Sequence, residues 1–245
     1  ELFQESTLFC TVYSGSSDVK RKITACVRMQ SGREVIAKIA DTNAGKTAIQ
    51  KETEALTWLK EQKRVGVCVP SLIGTLMEED ECSIQFQTAL PNGRYYKQFT
   101  ALHKKFLVDI YHVSCQHMHL RDLPLFQRIA KKMIHADNEK AYLLYRYLAD
   151  HCDETIEVAF SHGDLSPWNC VIGHNKLFVY DWEDADFMAP MGLDLFHFLY
   201  RQARLVGPWE GMSVILNQWR QEMPEQVRTH EDVYLTLFLL REYAR

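Results

Sequence analysis

His162-Gly163-Asp164-Leu165-Ser166-Pro167-Trp168-Asn169 lies near the middle of the chain, and Val179-Tyr180-Asp181-Trp182-Glu183 follows, with Asp181 twelve residues beyond Asn169. The first stretch sets an Asp and an Asn five residues apart on a Pro-containing loop. The second ends an apolar strand, Leu177 to Tyr180, on an Asp. These are the parts of a phosphoryl-transfer site. One carboxylate orients an attacking hydroxyl, while a carboxamide and a second carboxylate hold Mg²⁺ on nucleotide phosphates. Mg²⁺ prefers oxygen donors and takes one or two carboxylates plus substrate phosphates. Asn169 and Asp181 both supply oxygen, and Asp164 is the expected proton acceptor; a nearby metal favours its ionised form.

The upstream half carries the matching context. Val35-Ile36-Ala37-Lys38-Ile39-Ala40 reads as a strand with a lysine inside it, which is costly unless the ammonium is paired. The helix expected over Thr47 to Lys60 offers two partners, Glu52 and Glu54. Glu52 is preferred, because it sits one turn before the apolar face of Ala55, Leu56, Trp58 and Leu59. Such a strand lysine steadies nucleotide α- and β-phosphates. Two earlier strands, Leu8 to Tyr13 and Lys22 to Met29, flank a small polar turn. Ser14, Gly15, Ser16 and Ser17 of that turn could bind phosphates through backbone N–H groups and hydroxyls. Lys20, Arg21 and Lys22 read as a solvated charge run.

These residues together resemble the aminoglycoside phosphotransferase and choline kinase family of small-molecule kinases, over nearly the whole chain. The resemblance implies an α+β, protein-kinase-like fold with two lobes and nucleotide in the cleft. It implies Asp164 as catalytic base, Asn169 and Asp181 as magnesium ligands, and Lys38 with Glu52 at the nucleotide phosphates. It also implies that Asp194, in Asp194-Leu195, holds the catalytic segment. Trp182-Glu183 is similar to the choline kinase branch, and Trp168 to kinase-like proteins of surface-polysaccharide pathways. Gly163 stands where many protein kinases carry an Arg, and no Ala-Pro-Glu follows Asp181. A small hydroxyl compound is therefore the expected acceptor rather than a protein.

The expected organisation is an N-lobe over residues 1–88, a hinge over 89–95 and a helical C-lobe over 96–245. Strands are expected over Ser71 to Leu76 and Cys82 to Gln87. Thr88, Ala89 and Leu90 begin the turn-rich hinge where adenine could meet backbone. Helices are expected over Thr100 to His119, Leu125 to Met133, Glu139 to Cys152, Asp194 to Val206, Trp209 to Glu222 and Glu231 to Arg245. The catalytic loop and its strand are the exception in that part.

The chain has 245 residues, 47% apolar, with a net charge of −4, which disfavours nucleic-acid or anionic-membrane binding. No apolar run approaches the ~18 residues that suggest a membrane span. Seven scattered cysteines without a Cys-x-x-Cys pair indicate reduced thiols and a cytoplasmic protein. His112, Cys115 and His119 share roughly one face of the helix expected there. A fourth ligand is not apparent, so packing or a solvated stripe is expected instead of a metal site.

The function expected is transfer of a γ-phosphate from ATP, or GTP, with Mg²⁺, to a hydroxyl of a sugar or glycan precursor. Choline-like amino alcohols and aminoglycosides are the alternative acceptors, and a nucleotide-binding pseudokinase scaffold is the alternative of another class. Glu183, Asp184, Asp186, Tyr200, Arg201, Arg204 and Trp209 are candidates to line the acceptor site.

Overall fold

A computed structural model describes residues 6–14, 22–66, 68–77, 82–89, 93–134, 137–205 and 211–244. In chain order its elements begin with β1 (Thr7–Ser14), β2 (Ile23–Met29), β3 (Glu34–Ala40), α1 (Asn43–Glu61), β4 (Leu72–Met77) and β5 (Ser83–Thr88). Then come α2 (Ala101–Ser114), β6 (Gln116–His119), α3 (Pro124–Met133), α4 (Glu139–Asp150), β7 (Thr155–Ser161), β8 (Cys170–Gly173), β9 (Lys176–Val179) and β10 (Asp186–Pro190). The chain ends in α5 (Leu193–Leu205), α6 (Met212–Glu222), α7 (Glu225–Arg228) and α8 (Glu231–Ala244). This is the α+β, kinase-like arrangement: an antiparallel sheet first, then a mostly helical region. Among the described residues no helix is long and apolar enough to cross a membrane.

The chain forms two compact units, Glu1–Tyr95 with Asn169–Ala185, and Tyr96–Trp168 with Asp186–Arg245. The segment of Asn169 and Asp181, expected within a C-terminal lobe, thus groups with the N-terminal sheet.

In the first unit five antiparallel strands run in the order β1-β2-β3-β5-β4. Helix α1 begins a turn earlier than its apolar spacing suggested, because the Thr42 hydroxyl accepts from Gly45 N–H at 3.1 Å and caps it. Ala48, Ile49, Ala55, Leu56 and Leu59 form its buried stripe, and Glu52 lies within that stripe. The β8–β9 hairpin turns at His174 and Asn175, both with positive φ, the backbone that a tight two-residue hairpin requires. The hairpin is fixed on both flanks, by Cys68 pairing with Phe178 and Arg94 with Ile172. Gly93 allows the second contact, since a Cβ there would come within 2.2 Å of Val171.

In the second unit β10-β7-β6 form a small sheet, and Phe160, Phe196, Phe198, Trp219 and Phe238 are buried in the core. Tyr234 ties α8 to β7: its hydroxyl donates to Glu157 Oε2 at 2.7 Å and accepts from Glu157 N–H at 2.8 Å.

One expected helix is corrected. The stretch from Thr100 to His119 is helical only to Ser114; Gln116–His119 is a strand paired with β7. His117 and His119 therefore alternate along an exposed strand, and the shared face of His112, Cys115 and His119 does not exist. Among the described residues no group of three or more His, Cys, Asp or Glu suits a metal ion. Tertiary pairing with β7, which spacing within the segment does not encode, decides the change. Strand β7 itself was not foreseen, although Thr-Ile-Glu-Val-Ala-Phe alternates as a strand does.

His103 illustrates what burial does in this unit. It is fully buried between Phe99 and Phe198, and its Nδ1 accepts from Thr100 N–H at 3.1 Å. Burial lowers its pKa to about 4. The unfolded chain then binds a proton near its ordinary value of ~6.5 that the folded chain refuses. Stability from neutral His103 is present above about pH 6.5 and is lost as pH falls toward 4. Melting curves across this window should show a steeper fall for the wild type than for His103→Leu. Parallel slopes would contradict a neutral buried His103.

Candidate active site

Lys38 lies on β3 opposite Gln85 of β5 and is almost sealed from water. Its ammonium meets both oxygens of Glu52 at 2.7 Å and Asp181 Oδ1 at 2.9 Å. Burial by itself would push the lysine pKa down; the charges of Glu52, then Asp181, outweigh it and hold the value above normal. Glu52 is fully buried and has further donors. Trp182 N–H donates to Oε1 at 3.3 Å, and Gln85, with its amide nitrogen turned inward, donates to Oε2 at 3.2 Å. Glu54 instead lies at the surface and accepts from Gln50. The helix phase read from the sequence thus selects the carboxylate that meets Lys38.

The β8–β9 hairpin brings Asn169 and Asp181 together from its two ends. Tyr180 N–H donates to the Asn169 carbonyl at 3.2 Å, which sets Asn169 one residue from Asp181 across the ladder. Asp181 then departs from strand geometry, with φ 67° and ψ 59°. A non-glycine residue in this left-handed region costs of order 1–3 kcal/mol and persists only where its surroundings hold it. Here Trp182 holds it: its ring is fully buried and its Nε1–H donates to Val179 O at 3.0 Å. The result turns the Asp181 carboxylate onto Lys38.

Lys22 is a finding that the sequence reading missed. It does not belong to a solvated run: its side chain is mostly buried, pairs with Glu183 and lies 3.7 Å from Asp181. Three carboxylates, Glu52, Asp181 and Glu183, therefore share two lysines. Gln85 was also missed, although Ser83, Gln85 and Gln87 alternate along β5 and all three point inward. That pattern of polar residues was the available signal.

In the second unit, β7 runs into the His162-Gly163-Asp164 loop. The Asp194 carboxylate accepts from His162 N–H at 2.7 Å and from Gly163 N–H at 3.0 Å. Gly163 has φ 78°, which a side chain would oppose. His162 is buried, and its Nδ1 accepts from Asp164 N–H at 3.2 Å. Three backbone donors, one carboxylate and one imidazole thus fix the loop, and Asp164 projects a carboxylate that is partly exposed.

Other expected site residues fare differently. Gly15, Ser16, Ser17, Leu90 and Trp209 lie outside the described residues, while Ser14 ends β1 opposite Ile23. Thr88 N–H donates to Ser71 O at 3.0 Å, the Thr88 hydroxyl accepts from Ser71 N–H at 2.9 Å, and Ala89 N–H is directed at Glu34 O at 3.4 Å. Their N–H groups are therefore engaged within the sheet. Of the acceptor candidates, Asp186 caps Met188 N–H and pairs with Arg128, which is structural work. Tyr200 accepts from Arg204 at 2.6 Å.

A model of the phosphotransferase enzyme family, APH, matches residues 24–231. The chain belongs to this family. It is a small-molecule phosphotransferase with a kinase-like fold. No curated protein matches it. Among solved structures, an aminoglycoside-3'-phosphotransferase of type VIII is 17% identical with a TM-score of 0.59, covering 96% of this chain and 93% of that one. The amicoumacin kinase hAmiN, in complex with AMP-PNP, Ca²⁺ and Ami, is 15% identical with a TM-score of 0.57 over 95% and 79%. APH(2")-IIia, in its GDP and kanamycin complex, is 11% identical with a TM-score of 0.55 over 98% and 94%. At these identities the likeness shows the fold. A surface-polysaccharide role gains no support from these relatives.

Removing one member of a buried pair strands the other charge, at a cost of ~3–5 kcal/mol. Urea unfolding should therefore show Glu52→Ala strongly destabilised, whereas Glu54→Ala should stay within about 0.5 kcal/mol of wild type. The reverse order would move the pair to Glu54.

Proposed function

We propose that this phosphotransferase moves the γ-phosphate of ATP, or GTP, to a hydroxyl of a sugar or glycan precursor. The observation that carries this reading is the Lys38–Glu52–Asp181 constellation on one unit, together with the tightly held Asp164 loop on the other. Lys38, positioned by Glu52, binds the nucleotide phosphates. Asp164 accepts the proton of the acceptor hydroxyl; the oxygen bonds to Pγ, and the Pγ–O bond breaks with its electron pair leaving on the nucleoside diphosphate. The nucleoside base is assigned to the stretch that opens at Thr88 and Ala89, whose own N–H groups are taken by Ser71 and Glu34.

Asn169 and Asp181 fit Mg²⁺, because the hairpin sets the two residues one position apart across its ladder and both side chains are oxygen donors. The excess of one carboxylate over the two lysines also leaves the cluster net negative. Mg²⁺ held there supplies positive charge to the phosphate oxygens. The amicoumacin kinase with AMP-PNP and Ca²⁺ and the GDP complex of APH(2")-IIia support a nucleotide and a divalent cation, without choosing the base. Arg201 and Arg204 on α5 add positive charge to the unit that carries Asp164. That favours a neutral or anionic hydroxyl compound over a polycation.

Asp164→Asn should lower phosphoryl transfer by roughly 10²–10⁴ while nucleotide binding persists. The assay is a metabolite panel with Mg·ATP or Mg·GTP, scored by the mass of phosphorylated product, beside calorimetry with AMP-PNP. Turnover equal to wild type would remove Asp164 from the reaction.

A further inference from the structure

Four side chains, His197, Arg201, Arg241 and Glu242, cluster about the Asp164 loop, all within the second unit. His197, on α5, is fully buried, and its Nε2 lies 3.0 Å from Asp164 Oδ1. Its Nδ1 lies 3.5 Å from Glu242 Oε1 on α8. Arg201 places Nε 3.3 Å from the same Nε2 and a terminal nitrogen 3.9 Å from Glu242 Oε2. Next to Glu242, Arg241 donates to the Gly163 carbonyl and pairs with Glu242 at 3.1 Å.

We propose that His197 is a positioning residue for Asp164. The inference rests on Asp164 being the proton acceptor. An ionised carboxylate can only accept, so the 3.0 Å contact requires a proton on His197 Nε2. Arg201 directs its Nε–H at the same nitrogen from 3.3 Å, a contact that Nε2 can accept only without a proton, so the two contacts compete and the shorter one, to Asp164, is assigned the proton. Nδ1 has no formed hydrogen bond, and at 3.5 Å the Glu242 oxygen stands beyond a made bond but next to the ring.

Helix phase explains how one element does this. Asp194, His197 and Arg201 stand at i, i+3 and i+7 of α5, one stripe of its surface. The first clamps the loop backbone and the second clamps the reacting carboxylate. Helix α8 reaches the same loop from its last turn, through Arg241 on Gly163 and Glu242 on His197. Its own anchorage by Tyr234 on Glu157 and by the two-pronged Arg220–Glu231 pair fixes where that turn falls. A buried imidazole between the Asp164 carboxylate on the loop and the Glu242 carboxylate on α8 is a costly arrangement for packing alone, where an apolar side chain would serve.

The test combines two readouts on the full chain. Long-range ¹H–¹⁵N spectra of histidine-labelled protein should show a proton on His197 Nε2, with a shift that moves in Asp164→Asn. Release of ADP from Mg·ATP, with water as the acceptor, is then compared for wild type, His197→Gln and His197→Leu. The Gln amide can replace the Nε2–H donor, whereas Leu cannot. His197→Leu should lose about 10²-fold in turnover, the scale of a ~1 Å misplacement, with its KM for ATP unchanged. His197→Gln should regain most of that loss, with both variants melting alike. Wild-type turnover in His197→Leu, with Asp164→Asn inactive, would overturn the role of His197 and leave Asp164 in place. An unprotonated Nε2, or equal losses in Gln and Leu that track melting temperature, would overturn it as well. Turnover in Asp164→Asn equal to wild type would instead break the underlying reading of Asp164, and this inference with it.

Discussion

Lys38 and Glu52 form an ion pair shut away from water, and the first unit is built around its demands. Each charge alone would cost several kcal/mol to bury, so neither is tolerable without the other. The pair requires β3 and α1 in one register, because a slip of one residue on the strand would turn Lys38 to the opposite face. It also recruits Gln85 from β5 and the Trp182 N–H, so that Glu52 is satisfied on both oxygens. Asp181 then completes the group at the cost of a left-handed backbone. A strained residue beside a buried pair is the kind of local conflict that folds keep where chemistry needs it.

The second unit solves a different problem. Its loop must present one carboxylate, Asp164, with little freedom. Asp194 takes two successive N–H groups that no strand partner satisfies, and His162 takes the third. The stripe of α5 that bears Asp194 also bears His197, so one rigid element touches both the loop's backbone and the Asp164 side chain. Sites supported this way hold their geometry better than sites on loops alone.

Much of this was legible in the sequence, and the misses have physical causes. The alternation of Val35 to Ala40 and the helical stripe through Ala55, Leu56 and Leu59 are local patterns, and they selected Glu52 over Glu54. The spacing of Asp164, Asn169 and Asp181 pointed to phosphoryl transfer, and the family match agrees with that chemistry. His197 and Glu242 stand 33 and 78 residues beyond Asp164, and no local period links them. Lys22 read as solvated because its partner, Glu183, is far along the chain. The helix overextended to His119 failed for the same reason, since a distant strand, β7, captured Gln116 to His119. Contacts made by long-range pairing are those that a single sequence hides best.

In the function proposed, Asn169 and Asp181 at the hairpin ends hold the divalent ion that accompanies the nucleotide. Replacing Mg²⁺ with paramagnetic Mn²⁺, in the presence of AMP-PNP, tests this directly by nuclear magnetic resonance. Signals of the Asn169 side-chain amide and the Asp181 backbone should broaden first and most as Mn²⁺·AMP-PNP is added. Survival of both signals at saturation, while resonances elsewhere vanish, would place the ion away from Asn169 and Asp181.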